Sequence, residues 1–186
     1  LLSADQRKHV SEYLSGAKLE AAHVTHAPPQ CKGSAAQFDL SMRPLRTGWG
    51  YSNARFVPGA EAKLTAAQVS QLKLKWAFGF EGATRARSQP ALAGGAIFTG
   101  SSNGKVYALD RETGCVRWAF EAPGEVRTTV TITPWTAGER RPRPLAIFGD
   151  SRANFYAVEA FTGKLVWRIQ ADAHPAATLT ASPAMH

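Results

Sequence analysis

A short segment occurs twice in this chain, and its spacing constrains the fold more than any other feature. KVYALDRETGCVRW (105–118) aligns without gaps to NFYAVEAFTGKLVW (154–167), at an offset of 49 residues, the step from Tyr107 to Tyr156. The identical pairs are Tyr107/Tyr156, Ala108/Ala157, Thr113/Thr162, Gly114/Gly163 and Trp118/Trp167. ASPAMH (181–186) then restarts for a third time the strand that contains Gln89 and Pro90. A period of roughly 40–50 residues with about four strands in each copy predicts propeller blades.

Short β-branched and aromatic runs, separated by Gly, Asn, Asp and Thr-Gly turns, predict strands from residue 73 onward and no helix of useful length. The predicted strands are 73–80, 89–93, 96–100, 105–110, 115–120, 128–133, 145–149, 154–159 and 164–169. Because one four-stranded sheet cannot bury both of its faces, consecutive sheets must stack around an axis. We therefore predict an all-β fold, part of a β-propeller, with a short helical segment at its N-terminus.

The Thr-Gly pair in each copy is expected to form the turn between the third and fourth strands. Gly114 and Gly163 provide the positive φ that such a turn requires. The acidic residue that precedes each turn, Asp110 or Glu159, can bind the turn amides. At the end of each copy a tryptophan is expected to cover the interface between blades, where a large aromatic ring buries most surface, rather than to bind substrate.

The residues before the repeats predict helices and a connecting segment. A capping box formed by Ser3 and Gln6 predicts a helix over residues 3–15, and a second capping box predicts a helix over residues 66–72. Residues 17–47 contain several prolines and little periodicity, so we interpret them as a linker that wraps around the protein rather than packs.

Charge and composition exclude several classes of function. The chain has 22 Lys plus Arg against 14 Asp plus Glu, a net charge of +8, yet its densest basic run, 139–144, is broken by proline. We therefore expect no nucleic-acid partner. No apolar run approaches the roughly 18–20 residues that span a bilayer, so no membrane span is expected. The chain begins at Leu1 without an initiator Met and stops at His186 within the repeat pattern, so we expect it to be an internal piece of a longer protein.

The pattern Tyr-Ala-Leu-Asp-x-x-Thr-Gly-x-x-x-Trp resembles the repeat of pyrroloquinoline quinone enzymes and also that of a non-enzymatic relative, the outer-membrane protein assembly lipoprotein. The stretch before it, GWGYSNARFVPGAEAKLTAAQVSQLKLKWAF (48–78), is similar to the segment that leads into the propeller of quinoprotein alcohol dehydrogenases. Within that family, the Leu-Lys-Leu-Lys-Trp-Ala-Phe-Gly-Phe run, the Thr-Gly-Cys turn and the His-Pro-Ala-Ala segment most resemble the polyvinyl-alcohol-oxidising branch. The resemblance covers residues 30–186. Two classes of function remain open: an oxidoreductase and a protein-binding scaffold without cofactor.

The resemblance also implies a domain organisation. Residues 48–186 would be the first two blades and the start of the third in an eight-bladed propeller, and residues 17–47 would be the linker. Residues 1–16 contain LSADQRKHVSEYLSG, which is similar to the last helix of a cytochrome c domain, with its haem attachment motif upstream. The alternative for this segment is a simple packing helix.

The resemblance implies that the whole protein oxidises alcohols. The implied substrates carry secondary hydroxyl groups, including those of polyvinyl alcohol. Their electrons would pass through the quinone to a cytochrome c haem. The implied cofactors are pyrroloquinoline quinone (PQQ) and calcium, and the implied location is the bacterial periplasm. The implied partners are a small or polymeric alcohol substrate and a cytochrome c electron acceptor. The piece by itself is expected to be inactive, because the catalytic base and the calcium ligands are expected downstream of His186. No catalytic residue and no metal ligand is therefore named.

Four residues are implied as cofactor contacts. Arg127 lies where the family has an arginine that contacts the quinone, and its alternative role is an inter-blade salt bridge. Thr180, three residues before a proline, matches a family threonine that can bond a cofactor carboxylate, and its alternative role is to stabilise a strand. Arg87 lies three residues before Pro90, where many family members have a glutamate, and either Arg87 or nearby Gln89 can bind a quinone carboxylate instead.

The remaining candidate residues lie outside this group. His174, in ADAHPAAT, lies on a loop expected to approach the central face, where it would touch substrate or be an ordinary loop histidine. Cys31 and Cys115 either form a disulfide in an oxidising compartment or remain two buried free thiols. The vicinal cysteine pair of many family members is missing before Arg127.

Overall fold

Two four-stranded antiparallel sheets form the body of the protein. The computed structural model describes residues 3–15, 18, 28–44, 49–50, 56–83, 85–136 and 138–185. The first sheet contains β1 (Ala91–Ala93), β2 (Ala96–Gly100), β3 (Lys105–Asp110) and β4 (Val116–Glu121). The second contains β5 (Thr131–Ile132), β6 (Leu145–Gly149), β7 (Asn154–Glu159) and β8 (Leu165–Gln170). In both sheets the spatial order follows the chain order. A mostly β fold with four strands in each repeat is therefore confirmed.

The repeat in sequence is a repeat in backbone geometry. Ala108 pairs with Trp118 in the first sheet, and Ala157 pairs with Trp167 in the second. In each sheet the register shifts directly after that alanine, so the irregularity recurs at aligned positions. Each sheet is thus one copy of the same four-stranded unit.

The prediction of a strand over residues 73–80 is wrong, because these residues belong to neither of the two sheets. The described part of the chain contains no strand there. Phe78 and Phe80 pack with their rings 5.1 and 5.7 Å from the ring of Tyr107 in β3. Because these side chains lie on the face of the first sheet, the segment crosses over that sheet instead of extending it in its plane.

Trp118 locks the two sheets together, as predicted for this tryptophan. The ring is only 8% exposed, and its indole N–H donates to the carbonyl of Ala160 at 2.9 Å. The ring lies directly over Gly163, where an added Cβ would come within 2.8 Å of indole carbon Cδ2. Gly163 has φ +70°, so the position requires glycine both for its backbone and for the space that Trp118 fills.

Trp76 repeats this arrangement one sheet earlier. Its indole N–H donates to the carbonyl of Arg111 at 3.0 Å, and its ring lies 2.8 Å from the Cβ position of Gly114. Gly114 has φ +76°, as the Thr-Gly turn predicts. Residues 73–80 therefore lie against the first sheet as β4 lies against the second.

The acidic residues before the two turns act differently. The Oδ2 atom of Asp110 accepts hydrogen bonds from the backbone N–H groups of Glu112 and Thr113 at 3.1 and 2.9 Å, so the predicted amide contact is confirmed there. The carboxylate of Glu159 instead accepts from the hydroxyl of Thr162 at 2.8 Å. The turn amides of the second copy donate to the backbone carbonyl of Glu159.

A buried ion pair ties Asp110 to Arg117, whose Nη2 atom lies 2.7 Å from the Oδ1 atom. Burial alone would raise the pKa of Asp110, but hydrogen bonds from Thr113 and Arg117, with the positive charge of Arg117, hold it below its ordinary value. Arg117 also donates to the carbonyls of Ala35 and Gly94, both at 2.9 Å. The guanidinium thus connects β4 to the residues that precede the sheets.

Residues 28–44, called the strap below, pack against both sheets, unlike the wrapping linker expected there. Gln30 forms a parallel bridge with Val116 on the edge of the first sheet. The ring of Phe38 lies 6.3 Å from Phe98 in β2 and 4.7 Å from Phe161 in the second sheet. Proline and low periodicity hid this packing, because the strap is attached by isolated contacts and not by a regular helix or strand.

The helices are short. Ser3 and Gln6 form the predicted capping box, each backbone N–H donating to the other side chain, and α1 spans Ala4–Ser15. The next two helices are α2 (Gly59–Ala62) and α3 (Ala66–Val69), so the helix predicted over 66–72 ends early. None of the residues of α3 is buried, and a helix this short is marginal without tertiary packing. No helix among the described residues is long and apolar enough to cross a membrane.

Candidate functional site

The candidate site lies where the first strand of each repeat begins. The hydroxyl of Ser88 accepts a hydrogen bond from the N–H of Gly100 at 3.0 Å, which fixes the chain at the end of β2. The hydroxyl of Thr128 accepts from the N–H of Gly149 at 3.1 Å, the equivalent glycine at the end of β6. Ser88 and Thr128 therefore hold equivalent positions in the two repeats. Their preceding residues, both arginines, are equivalent as well.

The third repeat begins beside the first strand of the second. The hydroxyl of Ser182 accepts from the N–H of Thr129 at 2.9 Å, and the hydroxyl of Thr131 donates to the carbonyl of Pro183 at 2.8 Å. These contacts place the segment around Thr180 beside the start of β5. Thr180 precedes Pro183 by three residues, as Arg87 precedes Pro90. Arg87 and Arg127 thus hold equivalent positions in the structure, and the spacing to proline assigns Thr180 to the corresponding position of the third repeat.

Arg127 has unused hydrogen-bonding capacity. Its Nη2 atom lies 2.5 Å from the Oε2 atom of Glu125, two residues earlier in the same segment. Among the described residues, Arg127 therefore forms its salt bridge within its own segment and not with another blade. The Nε atom is buried and has no hydrogen-bond partner among them. Because a buried donor without an acceptor is costly, this guanidinium is suited to an added acceptor oxygen.

The other candidates have different surroundings. Arg87 is exposed. The Oε1 atom of Gln89 accepts a hydrogen bond from the N–H of Gly50 at 3.1 Å, so this side chain anchors the preceding segment. The Nδ1 atom of His174 accepts from the N–H of Ala176 at 3.2 Å, and the exposed imidazole helps to build its own turn.

A buried aspartate that sequence reasoning missed supports the site. Asp150 is fully buried and accepts hydrogen bonds from the backbone N–H groups of Arg152 and Asn154, both at 2.9 Å. It also accepts from the hydroxyl of Tyr156 at 2.9 Å. Burial first, and then the Asp150 carboxylate, raise the pKa of Tyr156. The first repeat has Ser101 at the aligned position, so a charged residue in place of serine was the signal in the sequence.

The turn that Asp150 stabilises contacts two candidate segments. The N–H of Ser151 donates to the carbonyl of Glu125 at 2.9 Å, and the N–H of Leu179 donates to the carbonyl of Asp150 at 3.1 Å. Glu125 binds Arg127, and Leu179 precedes Thr180. One rigid turn therefore sets the backbone beside both candidate cofactor contacts.

The cysteines lie at the other end of the sheets. A disulfide joins Cys31 in the strap to Cys115, which directly follows the Thr-Gly turn, with the two Cα atoms 5.1 Å apart. Its position attaches the strap to the first sheet and gives it no contact with the candidate site. Among the described residues, no group of three or more His, Cys, Asp or Glu side chains is arranged to hold a metal ion.

A sizeable cavity lies away from the candidate site. It has a volume of about 580 Å³ and is lined by strap residues together with the β1–β2 turn and Trp135. None of the cofactor-contact candidates lines it. The cavity and the Arg127 segment lie at opposite ends of β2 and β6.

A family of repeat proteins and two individual relatives are similar to this chain in sequence. The family described as outer membrane protein assembly factor BamB matches residues 46–186. A polyvinylalcohol dehydrogenase from a Pseudomonas species is 41% identical over 122 residues, covering 64% of this chain and 18% of that protein. A polyvinylalcohol dehydrogenase from Sphingopyxis sp. strain 113P3 is 36% identical over 122 residues, with the same coverage of 64% and 18%. The chain thus spans less than a fifth of the length of these relatives.

Solved structures share the fold. A quinohemoprotein alcohol dehydrogenase from Comamonas testosteroni superposes with a TM-score of 0.52 and 22% identity, covering 65% of this chain and 19% of that chain. A quinohemoprotein alcohol dehydrogenase from Pseudomonas putida HK5 superposes with a TM-score of 0.56 and 20% identity, covering 86% and 24%. At these identities the likeness concerns the fold alone.

Proposed function

This chain belongs to the repeat family described as outer membrane protein assembly factor BamB, and we propose that within it the chain is a section of a PQQ-dependent alcohol dehydrogenase. The observation that carries the proposal is Arg127, a cation at the start of a repeat whose buried Nε atom has no partner among the described residues. A scaffold that binds no cofactor has no evident need for such a donor. The dehydrogenase names of the two curated relatives support the same choice.

The residues of the site fit the chemistry of the quinone. PQQ presents carboxylate and carbonyl oxygens, which only accept hydrogen bonds, and a planar guanidinium is the best-matched donor for them. Arg127 would donate to one such oxygen, and Arg87 and Thr180 at the equivalent positions would supply further donors. The bound quinone supplies the acceptor for the hydride that an alcohol loses. For calcium the described residues offer no matching site, because they contain no cluster of side-chain ligands arranged to hold a metal ion.

A larger ring follows from the arrangement of the tryptophans. Trp118 covers the turn of the next sheet, so Trp167 is expected to cover the turn of a sheet beyond this chain. Around it, Leu165, Val166 and Ile169 of β8 are each about half exposed, at 52%, 51% and 54%. In this proposal the exposed face of β8 packs against a third blade. Residues 73–80 belong to the last strand of a preceding blade, as an eight-bladed ring requires. Without those blades the segment is expected to be inactive.

The proposed whole enzyme oxidises secondary hydroxyl groups, including those of polyvinyl alcohol, and passes electrons to a cytochrome c haem. The disulfide between Cys31 and Cys115 supports an oxidising compartment such as the periplasm. In this proposal residues 1–16 end a cytochrome domain, residues 17–47 link it to the propeller, and His174 faces substrate. The second candidate is a protein-binding scaffold, which the family's description as an outer membrane protein assembly factor favours.

The test uses the full-length protein that contains this chain. PQQ and calcium are added, quinone binding is measured by quenching of tryptophan fluorescence, and oxidation of propan-2-ol and polyvinyl alcohol is followed with an artificial electron acceptor. The enzyme proposal predicts saturable quinone binding and dye reduction that depends on alcohol. Absence of both identifies the scaffold and refutes the enzyme.

Arg127 is tested in the same protein by Arg127→Gln, with Arg140→Gln as the matched control because Arg140 is exposed on a loop outside the site. Loss of a charge-assisted hydrogen bond should weaken quinone binding about tenfold. The control should bind as the unmodified protein does. Equal binding and turnover in all three proteins would remove Arg127 from the site.

A further inference from the structure

The cavity of about 580 Å³ has a position and a lining that the proposed function does not use. Its lining includes Gly95 and Ala96 at the start of β2, and Arg111 directly after β3. The candidate cofactor contacts lie near Gly100 and Gly149, at the other end of the sheets. A ligand in this cavity would therefore be separate from the quinone.

The walls of the cavity are held by hydrogen bonds within the described residues. The N–H of Asp39 donates to the carbonyl of Gly94 at 3.0 Å, and the N–H of Gly94 donates to the carbonyl of Met42 at 2.6 Å. These two bonds attach the strap to the β1–β2 turn. On the other side, the indole N–H of Trp135 donates to the carbonyl of Leu40 at 2.8 Å. The cavity is thus preformed, as small-molecule sites usually are.

The lining is apolar over most of its surface. Met42, Pro44, Leu92, Pro134 and Trp135 contribute thioether, aliphatic and aromatic surface. Leu92 is 48% exposed, which is high for a large aliphatic side chain on a strand. A ligand with an apolar body would cover this surface and gain the free energy of burying it.

Charge selects the polar part of the ligand. The only charged residues that line the cavity are Arg43 and Arg111, both exposed, and no acidic residue of the described chain is among the lining residues. The Nε atom of Arg111 donates to Glu112 at 3.0 Å, which leaves both of its terminal nitrogens for another acceptor. For Arg43 the described residues supply no side-chain partner. Two guanidinium groups beside an apolar wall match a planar carboxylate.

We propose that this cavity binds an organic carboxylate with an apolar body, held by Arg43 and Arg111, at a site independent of the quinone. The carboxylate receives charge-assisted hydrogen bonds from the two guanidinium groups. The apolar body lies against Trp135 and Leu92. The volume is within the roughly 300–1,000 Å³ that small-ligand pockets occupy.

The experiment compares two probes on the full-length protein without added quinone. Binding of 2-naphthoate is measured by isothermal titration calorimetry beside 2-naphthamide, its neutral isostere. The carboxylate is expected to bind at least about tenfold more tightly than the amide, and less tightly at high salt. Because the affinities of the two probes are compared on the unmodified protein, the result does not depend on whether any variant folds.

Variants then locate the binding. Arg43→Gln and Arg111→Gln are each expected to weaken naphthoate binding about tenfold, whereas Arg140→Gln, on an exposed loop outside the cavity, should not change it. Equal affinities for the two probes, no saturable binding of either, or an equal loss in Arg140→Gln would each overturn the proposal. Because quinone binding is not measured here, failure of the dehydrogenase proposal leaves this result unaffected.

Discussion

Replacing Gly163 with alanine tests how the two sheets are joined. Gly163 has φ +70°, and an added Cβ would lie 2.8, 2.9 and 3.0 Å from the Cδ2, Cε3 and Cγ atoms of Trp118. Such distances are too short for any Cβ, so the indole must move. Trp118 is held by its hydrogen bond to Ala160 and is 8% exposed, so it cannot move without losing contacts.

The expected loss has two parts. The left-handed backbone costs an alanine about 1–2 kcal/mol. Displacement of Trp118 removes a hydrogen bond of about 1 kcal/mol and a similar amount of packing. The total is about 3–4 kcal/mol in the free energy of unfolding, measured as a shift of the urea midpoint at constant slope.

Gly138→Ala is the matched control. Gly138 has φ +81° and nothing within 4 Å of its Cβ position, so its replacement should cost only the backbone strain, about 1–2 kcal/mol. In a Trp118→Ala background, Gly163→Ala should fall to the same cost, because the two residues are in direct contact. If Gly163→Ala destabilises no more than Gly138→Ala, the ring of Trp118 does not lock the sheets.

Two further perturbations act on the first sheet. Asp110→Ala leaves the buried Arg117 cation without its partner and should cost about 3–5 kcal/mol by urea unfolding. Since the pKa of Asp110 is held below 3.8 in the folded protein, its contribution is present above that pH and lost as the pH falls through the folded pKa. Urea midpoints taken at stepped pH should show this loss, and Asp110→Asn should lack that part of the pH dependence. Cys31→Ser opens a loop with a sequence separation of 84 residues and should cost about 4–5 kcal/mol by loop closure. Thiol labelling of the denatured, non-reduced protein should find no thiol on Cys31 or Cys115, and two reactive thiols would contradict the bridge.

The strands that a repeat defines could be predicted closely. β2, β3, β6 and β7 have the predicted bounds, because alternation and turn residues act locally and appear twice. The failure at residues 73–80 has a tertiary cause. Trp76, Phe78 and Phe80 have strand-like composition, but an extended segment joins a ladder only where a free edge lies in its plane. Composition cannot specify which edge that is.

The candidate site was predictable in part. Arg87, Arg127 and Thr180 were predicted at the start of the first strand in successive repeats, and the structure supports that equivalence for Arg87 and Arg127 through the hydrogen bonds of Ser88 and Thr128. The spare donor of Arg127 and the support of Asp150 depend on burial, which a sequence does not state. In the first repeat, Ser101 occupies the position aligned with Asp150, and the turn forms there without a buried charge. The repeat pattern alone therefore does not show that this position holds a buried carboxylate in the second repeat.

By itself, the sequence determined a four-stranded unit repeated at 49 residues, its Thr-Gly turns and the tryptophan that follows each turn. These depend on backbone preferences and periodicity, which act between near neighbours. Two features follow from the tertiary structure alone: the strap packs on both sheets, and a cavity lined by two arginines lies at the end opposite Arg127. Each of these joins residues distant in the chain, where packing and desolvation select the partners.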